Sequence, residues 1–217
     1  MAGKTAKQVR RARTAEHHHG DLRRALVDAT LDLIAAGGTH LVTLRSVARA
    51  VGVSHMAPYN HFADKAALVA TAGAEGFRRL KRAMERRMAT FAPGDPERLQ
   101  AVGVAYVVFA VENPELFRLM FGPELADTTS HQELGQAADD VYQTLLGALG
   151  LSGMNASAVG PEMALTPWAL VHGLAMLAIA GQIPLRSTDQ MEALARDATY
   201  LLFVGMKNWR DAPRQPR

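Results

Sequence analysis

The sequence predicts an all-α protein, in which a small N-terminal unit of three helices precedes a larger helical body, with about nine helices in all. Apolar residues recur at helical spacing along most of the 217 residues. No segment alternates apolar and polar residues with the β-branched enrichment that marks a strand. Apolar residues make up 48 % of the chain, which is enough for a packed core.

The first predicted helix covers residues 21–36 and stops at Gly37-Gly38. Its apolar residues fall on one face, which comprises Leu22, Ala25, Leu26, Ala29, Leu33 and Ile34. The next two helices are too short to persist alone, because helix nucleation is costly. We therefore expect them to pack on this face.

Those two short helices are joined by Val51-Gly52-Val53-Ser54. Thr43 is predicted to cap the first of them, and Gly52 to allow a left-handed backbone in the turn. Two helices joined by so short a turn and packed on a third make a helix-turn-helix.

The second short helix is predicted to begin at a Ser54 cap and to end near Phe62. Pro58 lacks the N–H that would bond to the carbonyl of Ser54, and its ring crowds that carbonyl. A start nearer Ala57 relieves this conflict.

A long fourth helix follows, capped by Asp64, and Pro93-Gly94-Asp95-Pro96 ends it. The remaining predicted helices run from about Pro96 to Glu112, from 114 to 121, from 130 to 149, from 162 to 180 with a kink at Pro167, and from 189 to 209.

Positive charge is concentrated in the first third of the chain. Residues 1–65 hold ten basic and five acidic side chains, whereas the remainder holds fourteen and sixteen. The basic stretch 1–16 indicates either a polyanion partner at this end or a solvated arm without a partner, and charge alone does not choose between them.

The residue inventory argues against catalysis and against metal binding. The chain has no cysteine, which excludes disulfides, thiolate metal sites and thiol catalysis. The triplet His17-His18-His19 is a poor metal site, because consecutive residues do not share a helical face. Neither a nucleophile-elbow pattern nor a phosphate-binding glycine loop occurs. We therefore expect no enzyme, no cofactor and no metal.

The sequence also indicates an intracellular protein. Its basic start has no apolar run behind it, so it does not resemble a secretory signal. The longest apolar stretch, near residues 169–180, is interrupted by His172 and Gly173 and is too short to span a bilayer.

The segment after Gly52 presents short polar side chains and one apolar contact, namely His55, Met56, Tyr59, Asn60 and His61. Such groups suit base edges and phosphates in a major groove, which is wide enough to admit a helix. An ordinary helical corner is the alternative, and the basic first third favours DNA binding.

Residues 18–68 resemble the DNA-binding domain of the tetracycline-repressor (TetR) family. The matching motifs are the helix ending in Ala-Gly-Gly, Thr43-Leu44-Arg45, Val47-Ala48, Val51-Gly52-Val53-Ser54 and Tyr59-x-His61-Phe62-x-x-Lys65-x-x-Leu68. The remaining chain resembles a C-terminal domain of the Trp-His-Gly type. Its marks are residues 113–121 (NPELFRLMF) and Trp168-x-x-x-His172-Gly173.

This resemblance implies a homodimeric repressor, cytoplasmic and at its operator in a bacterial nucleoid, that leaves a palindromic operator when a small molecule binds the helical body. It divides the chain into an arm (1–16), a DNA-binding domain (17–65), a regulatory and dimerisation domain (66–210) and a tail (211–217). The DNA-binding residues that it implies are Thr43, Arg45, Ser54, His55, Met56, Tyr59, Asn60, His61 and Lys65.

The resemblance also suggests a ligand pocket, for which the candidate residues are Phe109, Glu112, Asn113, Phe117, Met120, Phe121, Trp168, His172 and Met176. Simple core packing is the alternative for the aromatic residues and methionines, and His172 is expected to be a hydrogen-bonded core histidine. Glu112 and Asn113, near the break at Pro114, are the polar groups expected to reach inside. The helices near 162–180 and 189–209 are expected to form the dimer interface, through rows containing Gly173, Ala175 and Ala178 and containing Leu194, Ala198, Leu201 and Gly205.

Two other functions remain open from the sequence. One is a ligand-binding helical protein whose helix-turn-helix is not used. The other is an activator or architectural protein with the same fold but without ligand-controlled repression.

Overall fold

In a computed structural model, residues 19–93, 95–150, 161–184 and 187–211 are described, and every regular element within them is helical. The α-helices are α1 (His19–Gly37), α2 (Leu44–Val51), α3 (Lys65–Met88), α4 (Glu97–Glu112), α5 (Pro114–Met120), α6 (Gln132–Ala148), α7 (Pro161–Ile179) and α8 (Thr188–Asp211). Shorter 3-10 turns cover Thr39–Leu41, Ala57–Asn60 and Pro123–Leu125. The prediction of an all-α fold is confirmed.

The predicted helix bounds agree with these elements to within a few residues, apart from the second short helix. The expected arm at 1–16, all but the first residue of the expected loop at 150–160, and nearly all of the tail lie outside the described residues. The chain divides into two compact units inside α3, between Ala72 and Gly73. They are called here the N-terminal unit and the C-terminal unit.

The core of the N-terminal unit forms where α2 packs on α1. The buried face of α1 agrees with the predicted one only at Leu26 and Ile34, and it also includes Val27, Thr30 and Leu31. Leu22, Ala25, Ala29 and Leu33 are only half-buried. Apolar residues surround much of this helix, so periodicity alone could not locate the centre of the face. The buried Thr30 hydroxyl is satisfied, because it donates to the Leu26 carbonyl at 2.7 Å.

The turn between α2 and the following segment has the predicted backbone. Thr43 caps α2 in a capping box, since its hydroxyl accepts from the Ser46 N–H at 2.9 Å while the Ser46 hydroxyl accepts from the Thr43 N–H at 2.8 Å. Gly52 ends the helix in the left-handed region at φ 81°. Its N–H and that of Val53 both donate to the Ala48 carbonyl at 3.0 Å. The chain therefore reverses direction without strain.

The prediction of a second short α-helix is wrong. A single 3-10 turn, Ala57–Asn60, takes its place. The Ser54 side chain does not cap it; instead, the Ser54 carbonyl accepts from the Ala57 N–H at 3.0 Å. Pro58 sits in the first turn, where a missing N–H costs nothing, and its ring is buried. The later start near Ala57 is confirmed.

The C-terminal unit is built around α4, which packs chiefly on α8 and α7. Residues on nearly every side of α4 are buried, which agrees with its lack of a polar face. Gly103 allows the closest approach, since a Cβ there would lie 2.5 Å from Thr199 Cγ2 and 3.2 Å from Val171 Cγ1.

Ion pairs join the second half of α3 to α6 and α8. Arg78 pairs with Glu133 at 2.6 Å, and Arg87 with Glu192 at 3.0 Å. Lys81 donates to Asp140 at 2.9 Å and thereby lowers the pKa of that carboxyl. All of these pairs are partly exposed, so they orient the helices more than they stabilise the fold.

We expect Gly103→Ala to destabilise the protein by about 1–3 kcal/mol through overpacking against Thr199, although alanine ordinarily stabilises a helix interior. The measurement is the free energy of unfolding in urea. Thr199→Ser in the same chain removes Cγ2 but keeps the hydroxyl that donates to the Ala195 carbonyl, and it should restore most of the loss. If the double variant loses the sum of the unfolding free energies that the two single variants lose, the two residues are not in close contact.

Candidate functional site

The segment after Gly52 exposes the side chains that were predicted to face DNA. In this recognition turn, defined here as residues 54–61, Met56 is 58 % exposed and Tyr59 is 49 % exposed. Ser54, His55 and Asn60 are also exposed, and His61 is half-buried. Large apolar and aromatic groups held in solvent on a short turn indicate a surface that binds a partner.

Two buried residues hold the recognition turn in place. Pro58 lies within it, and Phe62, 3 % exposed, follows it. The Arg23 guanidinium of α1 stands 5.4 Å from the centre of the Phe62 ring, in cation–π geometry. The His61 and Phe62 N–H groups donate to the Pro58 carbonyl at 2.9 Å. The exposed side chains are thus carried on a fixed backbone.

The other predicted DNA contacts lie at helix starts. Thr43 is exposed, although its hydroxyl already serves the cap of α2, and Arg45 is exposed in the first turn of that helix. Lys65 begins α3, and its Nζ donates to the Thr39 carbonyl at 3.0 Å. One of the three ammonium hydrogens is engaged there, which leaves two for an anion. Base and phosphate contacts by all of these residues stay predictions.

An apolar cavity of about 650 Å³ lies inside the C-terminal unit, within the roughly 300–1,000 Å³ typical of small-molecule pockets. Every α-helix of that unit contributes to its wall. The main side chains are Phe77 and Met84 from α3, Leu99, Val102 and Tyr106 from α4, Met120 from α5 with Phe121 after it, Asp139, Val141, Tyr142 and Leu145 from α6, Leu165, Trp168 and Val171 from α7, and Thr199 and Leu202 from α8.

Three of the predicted pocket residues, Met120, Phe121 and Trp168, line this cavity. Phe117 and His172 are packed against Phe121 in the adjoining aromatic cluster, with ring centroids at 4.8 Å in both cases.

The remaining candidates lie elsewhere. Phe109, Glu112 and Asn113 border a separate groove beside the arginines of α3. The Asn113 side chain donates to the Phe109 carbonyl at 2.9 Å and so finishes α4. Met176 is 39 % exposed on α7. None of these four lines the apolar cavity.

Sequence reasoning missed Tyr106 and the α6 wall. A signal for Tyr106 was present, because it is the one polar side chain within the apolar run 101–111 and a buried hydroxyl requires partners. Asp139 and Tyr142 carried no such signal, since both look like ordinary residues on an amphipathic helix.

The Tyr106 hydroxyl joins two residues of α7. Trp168 Nε1 donates to it at 3.2 Å, and it lies 3.0 Å from His172 Nδ1. Indole is only a donor, so the tyrosine oxygen accepts from Trp168. The Tyr106 hydroxyl and His172 Nδ1 share a second hydrogen bond, whose direction is set by the tautomer of the imidazole. Burial raises the pKa of Tyr106 and lowers the pKa of His172, which favours the neutral form of both groups.

An apolar face is left uncovered on α7 and α8 within the described chain. Leu177 is 44 % exposed, Tyr200 53 % and Leu201 69 %. An added Cβ at Gly173 or Gly205 would meet nothing within 4 Å. The predicted small-residue row is wrong at Ala175, which is fully buried in its own chain because it lies on the opposite side of α7.

Comparison with known proteins identifies the family. Residues 26–72 match the family described as bacterial regulatory proteins, tetR family, and residues 99–200 match the tetracyclin repressor-like C-terminal domain. The chain belongs to the TetR family. The helix-turn-helix is therefore the DNA-binding element of a transcriptional regulator, as the motifs predict.

Solved structures share the fold over nearly their whole length. A protein of unknown function from Rhodococcus sp. RHA1 is 30 % identical, with a TM-score of 0.69 over 88 % of this chain and 97 % of that one. The regulator FadR of Bacillus subtilis, solved with stearoyl-CoA, is 18 % identical, with a TM-score of 0.62 over 84 % and 98 %. The TetR-family regulator PfmR of Thermus thermophilus is 20 % identical, with a TM-score of 0.56 over 82 % and 97 %.

None of the curated proteins compared is similar to this TetR-family chain. Among its described helices, none combines the length and apolarity that crossing a bilayer requires. The described side chains contain no group of His, Asp and Glu that could hold a metal ion, and His17-His18-His19 lies outside them.

We expect the stability of the protein to decrease as the pH falls below about 6.5, partly through His172. Burial lowers the pKa of His172 in the folded state, so the folded state binds fewer protons than the unfolded state, and its stability is lost as acid charges the ring. His172→Asn keeps a group that can either donate to or accept from the Tyr106 hydroxyl, and it cannot titrate. Its free energy of unfolding should vary less between pH 5 and 8 than that of the wild type; an equal slope would exclude a role for His172.

Proposed function

We propose that this regulator is a homodimeric repressor that binds a palindromic operator and leaves it when a small molecule enters the apolar cavity. The observation that carries the DNA-binding part is the recognition turn, in which Met56 and Tyr59 are exposed while Pro58 and Phe62 are buried. An ordinary helical corner would turn its large side chains inward.

The chemistry of the turn divides into two roles. His55, Met56 and Asn60 offer a donor, an apolar contact and an amide to base edges. Tyr59 and Lys65 offer a hydroxyl and an ammonium to phosphates, together with His61, Thr43 and Arg45. The basic arm would add phosphate contacts and hence salt dependence.

The exposed face on α7 and α8 is proposed as the dimer interface. Leu177, Tyr200 and Leu201 form an uncovered apolar surface of the kind that marks protein contacts. Open space at Gly173 and Gly205 would let a second helix approach closely. A twofold axis would place two recognition turns about 34 Å apart, which is one turn of DNA.

Ligand control is proposed to act through α3. This helix is continuous from Lys65, a predicted phosphate contact, to Met84, which lines the cavity. A ligand that favours the non-binding arrangement by about 1–3 kcal/mol would weaken operator binding about 5- to 150-fold. Like other DNA-bound regulators, the protein would work in the cytoplasm at the nucleoid.

Selection of bound fragments from random DNA should return a palindrome. For binding to that palindrome, we expect Asn60→Ala to reduce the binding free energy by about 1–3 kcal/mol and to relax the base preference at one position of each half-site. Tyr59→Phe should weaken binding to all sequences about equally, because it removes a phosphate contact.

Binding is measured by gel shift at fixed salt, with Gln182→Ala as the control, because it removes an exposed amide from the C-terminal unit. Equal retention of every duplex by the wild type would favour a ligand-binding protein that does not use its helix-turn-helix. Specific binding with no derepression on deletion of the gene would favour an activator.

Leu201→Glu should convert the dimer to monomers, because Leu201 is 69 % exposed in the single chain and the new charge would be buried only in the dimer. Sedimentation velocity gives the oligomeric state, and circular dichroism checks the fold. Leu41→Glu, which alters an exposed leucine of the N-terminal unit, serves as the matched control and should leave a dimer. A dimeric Leu201→Glu protein would place the interface elsewhere.

A further inference from the structure

The described wall of the apolar cavity carries one negative charge and no positive charge. Among the described residues that line it, there is no Lys, Arg or His, and Asp139 is the single carboxylate. A ligand that carries negative charge would therefore meet one like charge and no opposite charge among the described residues of this wall.

Asp139 differs from the other acids of α6 in having no partner within the described chain. Its neighbour Asp140 accepts from Lys81 at 2.9 Å and from Gln136 at 3.0 Å. Glu133 accepts from Arg78 at 2.6 Å. Both of those carboxylates have partners on the protein and do not line the cavity, whereas Asp139 lines the cavity at a solvent-exposed position and has no partner within the described chain.

A second polar group accompanies this carboxylate. Tyr142 lies three residues further along α6, hence on the same face, and it also lines the cavity. Within the described chain its hydroxyl has no hydrogen bond. By contrast, the Tyr106 hydroxyl is occupied by Trp168 and His172. Asp139 and Tyr142 are therefore available to a ligand, together with Thr128, which lines the cavity just before α6.

The rest of the wall is apolar and rich in aromatic rings. Phe77, Tyr106, Phe121 and Trp168 all contribute to it. Aromatic faces attract cations, and they do so more strongly where water is excluded. The aromatic rings, the one carboxylate without a partner and the absence of a basic group among the described wall residues all favour a positive charge on the ligand.

We propose that the apolar cavity binds a lipophilic cation, with its apolar body among the aromatic rings and a protonated amine donating to Asp139 and Tyr142. This inference deepens the ligand control proposed above and names the chemical class of the effector. Hydrophobic burial would supply most of the affinity, and the carboxylate would supply the selection for positive charge.

The test uses three probes that share one alkyl chain and differ only in the head group, namely dodecylamine, dodecanol and dodecanoate. Each competes, below its micelle concentration and at neutral pH, with the neutral fluorescent ligand N-phenyl-1-naphthylamine on the full chain. We expect dodecylammonium to displace that ligand at lower concentration than dodecanol, and dodecanoate to be the weakest.

Asp139→Asn should weaken the binding of dodecylammonium about fivefold, the amount expected for loss of a solvent-exposed ion pair, and leave the binding of dodecanol unchanged. Asp140→Asn, the matched control, removes the same charge one residue away and should keep the wild-type order of the probes. Asp139→Glu keeps the charge and should keep the preference for the cation.

Three results would overturn the proposal: dodecanoate binding as tightly as dodecylammonium, an Asp139→Asn protein that binds the cation normally, or failure of all three probes to displace the fluorophore. The assay contains no DNA, so its result is independent of operator binding. A cation that binds as expected without releasing the operator would refute ligand-controlled repression and leave the preference of the cavity intact.

Discussion

Burial of α4 on nearly every side is the constraint on which the C-terminal unit depends. A helix without a polar face can exist only inside other helices, so α7 and α8 must cover it. Close cover requires a small residue where the helices meet, which is Gly103. It also requires partners for the one hydroxyl that α4 takes into the core, and Trp168 and His172 supply them. The Trp-x-x-x-His spacing of α7 follows from this need, because residues four apart share a face.

The cavity is the space that this packing leaves between bulky side chains and short ones. Its wall draws on six helices, and its aromatic rings also pack against one another, as Phe121 does against Phe117 and His172. The same rings therefore stabilise the core and shape the cavity. The cavity wall includes side chains of α3, the helix that carries Lys65, and of α7, a helix of the proposed dimer face.

The N-terminal unit depends on a different constraint: the recognition turn must be held rigid while its side chains stay exposed. A single 3-10 turn has little stability of its own. Pro58 limits its backbone and is buried, Phe62 is buried after it, and Arg23 of α1 lies over the Phe62 ring. Preorganisation of this kind lowers the entropy that DNA binding must overcome. In the proposed complex, Met56 and Tyr59 would contact DNA from a backbone that is already ordered.

The sequence by itself determined the features that depend on near neighbours. The Thr43 cap, the left-handed Gly52, the later start forced by Pro58 and the ends of the helices involve residues only a few positions apart, so local physical chemistry decides them. The tertiary structure decided the centre of the buried face of α1, most of the cavity wall and the contrast between Asp139 and Asp140. Helical spacing makes those two acids equivalent surface residues; Lys81, 59 positions away, pairs with one of them and leaves the other at the cavity. Contacts between distant residues form only when the helices pack, so the local pattern of a single sequence does not predict them.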